Sequence, residues 1–384
     1  MYAARVAYAL LRELLGQPAA AELLQGVVKS GRPAHAYLFQ GPAGVGKGTA
    51  ALAFARALLC ERPRGDACGE CGACRKTAAL THPDLRFLFP VGGEEKDLDE
   101  TIAETLEAWR TDPFFVFAYE KAASIRLSLT RDLIRELAYE PFEASRRVVV
   151  VRDADRMRED QYSAMLKSLE EPGGATVWIL TTARPSKLPA TIRSRCQKVR
   201  FAALPEPLLR QFLVERVQLA EREARILAAL SGGSLAKALV LRFSDPVQLR
   251  DQALELLEPA LRGDATRLWR TAQGFMAYGK TGRETMRRMF EVHQLWLRDL
   301  LRAQAGLPRE SLANRDHEPE IRRQAARLEA REIRRRLMVL EEALQSIDFN
   351  VTAELTIFSA LSRVAGAHFA ENDWPSYTAT RWDY

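Results

Sequence analysis

The sequence predicts an α/β domain, with a mostly parallel sheet covered by helices on both faces, followed by an all-helical region. Three observations support this prediction. Short apolar runs alternate with helical patterns between residues 36 and 201. A glycine-rich stretch at 41–49 separates the first apolar run from a helix-forming segment. After Pro205 the strand-like runs end, and residues 206–370 carry helical patterns alone.

The glycine-rich stretch has the composition of a phosphate-binding loop (P-loop). Its sequence, GPAGVGKGT, lies between the apolar AYLFQ and the helix-forming AALAFARALL. Glycines let backbone N–H groups approach a phosphate, while the helix N-terminus and a lysine add positive charge. The predicted nucleotide-binding residues are three glycines, the lysine and a threonine: Gly41, Gly44, Gly46, Lys47 and Thr49.

The loop departs from the usual pattern directly after its lysine. A Ser or Thr normally follows, and its hydroxyl binds Mg²⁺. Here Gly48 takes that position, and Thr49 points about 100° further round the helix. The sequence therefore predicts a P-loop fold with impaired metal chemistry, in which weak binding of ATP or ADP stays open.

Composition bounds the class of protein. The 384 residues favour two or three domains, and 47% hydrophobic with 28% charged residues is ordinary for a globular chain. No apolar run approaches the ~20 residues of a membrane span, and the N-terminus lacks a secretory pattern, so a cytoplasmic protein is expected. The net charge of +6 permits contact with nucleic acid without requiring it.

Four cysteines cluster after the first helix of the domain. Because four thiolates complete a tetrahedral site with no vacant position, they predict a structural zinc ion rather than a catalytic one. Two alternatives stay open: four free thiols in a loop, or His82 as a ligand instead of part of a tight His-Pro-Asp turn. The predicted ligands are Cys60, Cys68, Cys71 and Cys74.

Further helices and strands are predicted on either side of an irregular insertion. Helices are expected at 12–30, 129–137 and 161–171. Between the second strand and the next helix lies an irregular insertion at 91–126, whose acidic first half predicts a solvated surface helix through Trp109. Strands after the first are expected at 85–89, 146–151, 177–182 and 198–201.

A second departure follows the strand at 146–151. In P-loop ATPases a carboxylate pair at this strand end holds Mg²⁺ and orients the attacking water. Here Arg152 takes the first position, and Asp153, in the second, is shorter than the usual Glu. Gly48 and Arg152 therefore both weaken the predicted binding of Mg²⁺.

Two features of the C-terminal half are less specific. Arginine is dense from 283 to 336, which predicts solvated helix faces with ion pairs, with a partner or DNA surface as the alternative. The tail at 371–384 contains four aromatic residues. It is expected to be disordered or loosely docked, or else to act as a short docking peptide.

Together these residues resemble the clamp-loader ATPases of the AAA+ group. The resemblance covers residues 35–201, and more weakly 231–239 and 350–364. It rests on a combination of stretches rather than on any one of them. These are HAYLF before the P-loop, the four-cysteine module, His82-Pro83-Asp84, LKSLEEP at 166–172 and Ser194-Arg195-Cys196.

The resemblance implies a three-domain subunit of a five-membered ring. Its partners would be motor subunits and a delta subunit, with a sliding clamp and primed DNA as targets of the assembly and no membrane contact. The implied divisions are an AAA+ core at 1–202 with its zinc module at 60–74, a helical lid at 203–245, a helical collar at 246–370 and the tail.

In that family the Ser-Arg-Cys motif carries an arginine finger, which implies that Arg195 enters the ATP site of a neighbouring motor subunit. A surface ion pair is the alternative for Arg195. The lid motif places a phosphate-sensing Arg where this chain has Ala236. With Gly48 and Arg152, this makes three losses, so the resemblance implies a subunit that does not hydrolyse ATP efficiently.

Two rival functions remain. The chain could itself be the motor subunit, although Gly48, Arg152 and Ala236 oppose this. It could instead be a zinc module that contacts nucleic acid. The cysteine loop carries few basic residues and lacks interleaved aromatics, which does not favour base stacking.

Overall fold

The computed structural model describes residues 10–93, 95–112, 114–117, 123–170, 175–243, 245–262, 264–273, 279–347 and 353–365. The chain divides into two compact units. The first comprises Met1–Val217 and Ser231–Val240, and the second comprises Gln218–Leu230 and Leu241–Tyr384. Among the described helices, none combines the length and the apolar character needed to cross a bilayer.

A five-stranded sheet forms the centre of the first unit. Every neighbouring pair of strands is parallel, and the strand order is β2-β3-β4-β1-β5. The carboxyl ends of all five strands therefore meet at one edge, as predicted for a parallel sheet. The strands are β1 Ala36–Gln40, β2 Leu85–Leu88, β3 Arg147–Val151, β4 Thr176–Thr182 and β5 Gln197–Arg200.

Alternate residues of the central strands enter two cores. Val148 and Val150 belong to the core on one face of the sheet, and Val149 and Val151 belong to the core on the other face. All four are fully buried. Burial on both faces explains why β3 has an unbroken apolar sequence instead of an alternating one.

Helices cover both faces of this sheet. The expected helix at 12–30 is wrong in its first part, because α1 begins only at Pro18. A 3₁₀ turn at Leu11–Glu13 precedes it, Gly16 has a φ of +63°, and proline is favoured at a first helical position. The helices of this unit are α1 Pro18–Ser30, α2 Lys47–Leu59, α3 Gly72–Ala78, α4 Leu98–Thr111, α5 Leu127–Glu136, α6 Glu159–Glu170, α7 Ala190–Arg195, α8 Glu206–Glu215 and α10 Leu235–Leu241.

The second unit is entirely helical in its described parts, as the sequence predicts after Pro205. Its interior includes the long helix α13, whose Phe290 and Trp296 are buried. The aromatic tail at 371–384 lies outside the described residues. The helices of this unit are α9 Glu221–Leu230, α11 Pro246–Arg262, α12 Ala265–Gln273, α13 Gly279–Gln304, α14 Glu318–Ala325, α15 Ala330–Ser346 and α16 Ala353–Ala365.

The arginine-rich helices carry the ion pairs that the sequence predicts. Three glutamates each pair with arginines three or four residues along the same helix. Two arginines hold the pKa of Glu332 down to about 2. The pairs are Glu284 with Arg287 and Arg288, Glu318 with Arg322, and Glu332 with Arg335 and Arg336.

Candidate functional site

The P-loop connects β1 to α2 at the carboxyl edge of the sheet. Lys47 is buried, and its Nζ donates hydrogen bonds to the carbonyl oxygens of Gly41 at 2.8 Å and Pro42 at 2.5 Å. Burial lowers the pKa of Lys47 to about 8, with Asp153 opposing this shift and Arg152 adding to it. The lysine that should meet a phosphate is therefore hydrogen-bonded to its own loop.

The start of α10 lies directly against this loop. The Ala236 N–H donates to the Gly44 carbonyl oxygen at 3.1 Å. Gly44 has a φ of +74°, and a Cβ there would collide with the Ser234 hydroxyl and the Ala236 methyl group. Glycine is required at this position both for its backbone conformation and for this close approach.

Arg152, at the end of β3, lies against the first turn of α2. A Cβ added to Gly48 would collide with the Arg152 guanidinium. The Arg152 Nε lies 3.4 Å from the Asp153 carboxylate, and its Cζ lies 4.2 Å from the centre of the Phe117 ring. The two departures noted in the sequence are thus in contact, because the missing side chain of Gly48 leaves space for the guanidinium.

Asp153 has an uncommon backbone conformation for a residue with a side chain. Its φ is +49°, and its N–H donates to the Thr181 hydroxyl at 3.0 Å. Its carboxylate pairs with Arg152 rather than standing beside a second acid. Among the described residues at this strand end, the arrangement does not match the acidic pair that holds Mg²⁺ in P-loop ATPases.

The insertion contributes to this site, which sequence reasoning missed. Trp109 and residues 114–117 line a cavity of about 110 Å³ together with the P-loop, Arg152 and the start of α10. The expectation of a solvated surface is therefore wrong for this part of the insertion. The four aromatic residues among 109–117 were the available signal, because such residues are seldom exposed together without a partner.

The four predicted cysteines converge on one point. Their sulfur atoms all lie within 4.8 Å of one another, with Cys60 to Cys71 and Cys68 to Cys74 both at 3.9 Å. Ligands about 2.3 Å from a tetrahedral zinc ion are separated by about 3.8 Å, so the spacing fits such an ion. Backbone N–H groups, led by that of Glu70, lower the pKa of Cys68 to about 6.

Backbone donors surround the sulfurs as well. The N–H groups of Arg62 and Cys68 point to the Cys60 sulfur at 3.4 and 3.3 Å. Those of Cys71 and Cys74 point to the sulfurs of Cys68 and Cys71, both at 3.4 Å. Such N–H groups stabilise thiolates, which are the form of cysteine that binds metals. The cluster could therefore hold a metal such as zinc.

His82 takes part in a turn rather than in this cluster. Its Nδ1 accepts the Asp84 N–H at 3.0 Å, and its Nε2 lies 3.2 Å from the Glu143 carboxylate. The fully buried Asp84 carboxylate accepts the N–H groups of Phe142, Glu143 and Ala144. The interpretation of His82-Pro83-Asp84 as a structural turn is confirmed, and His82 as a metal ligand is not supported.

Arg195 lies at the amino ends of the parallel strands, whereas the P-loop lies at their carboxyl ends. It ends α7, directly before the amino end of β5. Since β5 runs parallel to β1, with Tyr37 opposite Gln197, Arg195 lies beside the start of β1, whereas the P-loop follows its end. The five residues of β1 separate these levels, which is about 17 Å. Arg195 is half-buried, and its Nη1 donates to the Thr191 carbonyl oxygen at 3.0 Å.

Comparison with known proteins identifies the family. The family described as "DNA polymerase III, delta subunit" matches residues 16–205. DNA polymerase III subunit delta' of Pseudomonas aeruginosa is 36% identical over 235 residues, which is 60% of this chain and 62% of that protein. The Bacillus subtilis subunit delta' is 25% identical over 340 residues, covering 88% and 93% of the two chains. The chain belongs to the DNA polymerase III delta-prime family.

Membership agrees with the architecture of the first unit, an AAA+-type parallel sheet with a four-cysteine module. The chain spans 62% of the length of the Pseudomonas relative, and the match to the Bacillus relative extends through the helical unit. A crystal structure of a gamma subunit-related protein of DNA polymerase III from Thermotoga maritima is also similar, at 17% identity. Its TM-score is 0.43, over 90% of this chain and 98% of that one.

The structure brings together Gly48, Arg152 and Ala236, the three departures that the sequence identified, around one loop. It also brings together the four cysteines. Arg195 lies apart from the P-loop, at the other end of β1. The roles assigned to the P-loop residues and to Arg195 stay predictions.

Proposed function

We propose that this chain is the delta-prime subunit of a bacterial clamp loader, acting in the cytoplasm without hydrolysing ATP itself. In this role it donates Arg195 to the ATP site of a neighbouring motor subunit. Motor subunits and a delta subunit would complete the ring, which acts on a sliding clamp and primed DNA. The observation that carries the proposal is the position of Arg195, at the sheet edge opposite its own P-loop.

The state of the chain's own P-loop supports the first part of this proposal. Hydrolysis needs a metal ion, an oriented water and a cation for the developing charge. Here Gly48 lacks the hydroxyl, Arg152 replaces a carboxylate, and Ala236 stands where a motor subunit has its sensing arginine. The Lys47 ammonium is also engaged by two carbonyl oxygens of the loop. A chain with these four features is better suited to supporting hydrolysis elsewhere.

The chemistry of Arg195 supports the second part. A guanidinium is always charged and its planar fork matches phosphate oxygens. The Nη1 hydrogen bond to the Thr191 carbonyl oxygen holds this planar group at the end of α7. An arginine finger supplied by a neighbouring subunit raises the rate of hydrolysis ~10³–10⁵-fold, which corresponds to lowering the activation free energy by roughly 4–7 kcal/mol.

We also propose that Cys60, Cys68, Cys71 and Cys74 hold a structural zinc ion. Support comes from the sulfur spacing and the N–H groups directed at the sulfurs. When bound, zinc would neutralise the thiolates and cross-link the loop between α2 and α3. With four protein ligands it would have no open position for a substrate.

The test is Arg195→Ala in a clamp loader reconstituted from this chain with its motor and delta subunits. We expect the complex to assemble, with hydrolysis at the adjoining ATP site reduced by at least ~100-fold, because a trans finger contributes ~10³–10⁵. Single-turnover hydrolysis and clamp loading on primed DNA are the measurements. Arg193→Ala, two residues away on α7, is the matched control and should change the rate by less than about twofold.

Unchanged hydrolysis and clamp loading with Arg195→Ala would rule out the finger. The motor-subunit alternative makes the opposite prediction for the isolated chain. It requires measurable ATP turnover that Lys47→Ala abolishes. We expect turnover by the isolated wild-type chain to stay at background.

A further inference from the structure

The aromatic segment at 114–117, on the C-terminal side of α4, enters the cavity of the P-loop. Phe115, Val116 and Phe117 line this cavity opposite Gly46 and Lys47. The volume that remains is about 110 Å³. Pockets for organic ligands of nucleotide size are typically about 300–1,000 Å³. The space left beside the loop is therefore smaller than pockets of that kind.

The segment is held by packing. The Phe117 ring is 9% exposed and packs edge-on against Phe89 at 5.4 Å and Phe115 at 5.1 Å between ring centres. At the start of the segment, the Asp112 carboxylate accepts the Phe114 N–H at 2.8 Å, and the Asp112 carbonyl accepts the Phe115 N–H at 3.1 Å. Edge-to-face aromatic contacts of this kind each add about 0.5–1.5 kcal/mol beyond their burial.

Arg152 connects the segment to the P-loop. Its Cζ lies 4.2 Å from the centre of the Phe117 ring, within the range of a cation–π contact. The same guanidinium lies where a Cβ on Gly48 would be. A permanent positive charge thus occupies the region in which P-loop enzymes hold a divalent cation, so Mg²⁺ would be repelled from it.

We propose that this P-loop has an internal occupant. Residues 115–117 and Arg152 fill the volume that a nucleotide and its metal would take, so the isolated chain excludes ATP and ADP. This occupant would explain why the chain does not hydrolyse ATP. It rests on the proposed function only in assuming that the site is derived from a nucleotide-binding site. It gives the insertion at 91–126 a function, which is to keep the P-loop closed without a ligand.

The test is binding of fluorescent ADP and ATP analogues to the isolated chain, followed by anisotropy with and without Mg²⁺. The wild type should give no saturation up to about 100 µM, corresponding to a free energy weaker than about −5.5 kcal/mol. Phe115→Ala with Phe117→Ala should open the cavity and lower Kd at least ~10-fold, independently of Mg²⁺. Adding Lys47→Ala to the opened variant should abolish the gain, which confirms that the analogue enters the P-loop.

Two further variants keep the test decisive. Phe142→Ala is the matched control, because that ring is 84% exposed and lies outside the cavity. Should the double phenylalanine variant not fold, Arg152→Ala with the half-buried Phe115→Ala opens the cavity while leaving Phe117 against Phe89.

A wild-type Kd below about 10 µM would overturn the proposal, as would folded cavity variants that bind no better than wild type. These measurements use the chain alone. If the cavity variants bind no nucleotide, the effect of Arg195→Ala on hydrolysis by the complex is still expected. If Arg195→Ala has no effect, the binding result for the cavity variants is still expected.

Discussion

At the scale of single residues, Gly48 and Arg152 form one arrangement. Each looks like an independent loss when the sequence is compared with the pattern of an active ATPase. The structure joins them, because the guanidinium occupies the space beside the Gly48 Cα and rests on the Phe117 ring. Restoring a side chain at position 48 alone would therefore push Arg152 out of its contact.

This coupling predicts that the effect of Gly48→Ala on stability changes sign with the residue at 152. In the wild type we expect a loss of about 1 kcal/mol in the free energy of unfolding, because the guanidinium must leave Phe117. In Arg152→Ala the same change should stabilise by about 0.5–1 kcal/mol, the usual gain from replacing a helical glycine.

Hydrogen exchange of the β3 amides in the four proteins of this double-mutant cycle is the measurement, because it reports on the first unit alone. Gly26→Ala serves as the control pair with Arg152→Ala, since a Cβ added to Gly26, in α1, meets nothing within 4 Å. Additive effects of Gly48→Ala and Arg152→Ala would contradict the coupling.

At the scale of elements, the four-cysteine module depends on both α2 and α3. Cys60 caps the end of α2, and Cys71 caps the start of α3, where its sulfur accepts the Cys74 N–H. The connecting loop is also tied to the N-terminal segment, because the Asp66 carboxylate accepts the Leu11 N–H at 3.2 Å. A metal at this point would cross-link the end of α2, the start of α3 and the loop between them, in addition to the packing of the two helices against each other.

We therefore expect the purified chain to contain about one zinc ion, and Cys74→Ser to reduce this below about 0.2 per chain. Amide protection should fall across residues 60–79 and stay unchanged in β3 and β4, because the module is peripheral to the sheet. Metal analysis by mass spectrometry and hydrogen exchange are the measurements. Cys196→Ala, at the fifth cysteine, should keep the zinc; equal zinc content in Cys74→Ser would exclude the site.

At the scale of the whole molecule, charge is distributed more evenly than the arginine-rich sequence suggests. The chain has 56 basic and 50 acidic residues, and the arginines of α13, α14 and α15 pair with glutamates on the same helices. Pairing leaves fewer cations to replace counterions on a phosphate backbone. DNA contact by the isolated chain should then be weak and only mildly dependent on salt.

We expect the isolated chain to bind a primed duplex with a Kd of roughly 10⁻⁴–10⁻⁵ M and a salt slope of magnitude below about 3. Removing the acidic partners with Glu284→Gln, Glu318→Gln and Glu332→Gln should tighten binding and steepen that slope by about 1–3. Anisotropy titrations between about 50 and 200 mM salt measure both quantities. A wild-type slope of 6 or more would mean that a dedicated DNA surface exists on this chain.

The sequence by itself determined the elements whose signals are local. Apolar runs and helical periodicity predicted the five strands and the longer helices of the first unit, because burial on one or two faces imposes those patterns over a few residues. The short helices α3 and α7 were not predicted. The P-loop and the four cysteines were equally clear, since phosphate and metal binding require fixed residue types at fixed spacing. The helix start at Pro18 was missed, because a continuous apolar pattern obscured the turn at Gly16.

Only the tertiary structure decided how distant segments share a site. Phe117 enters a cavity formed around residue 47, Arg152 lies on Gly48, and Asp84 accepts three N–H groups from residues 142–144. No spacing rule predicts these contacts, because they join residues 58 to 104 positions apart through packing that depends on the whole fold. Likewise, only the parallel register of β1 and β5 showed that Arg195 lies at the amino ends of the strands, away from the chain's own P-loop.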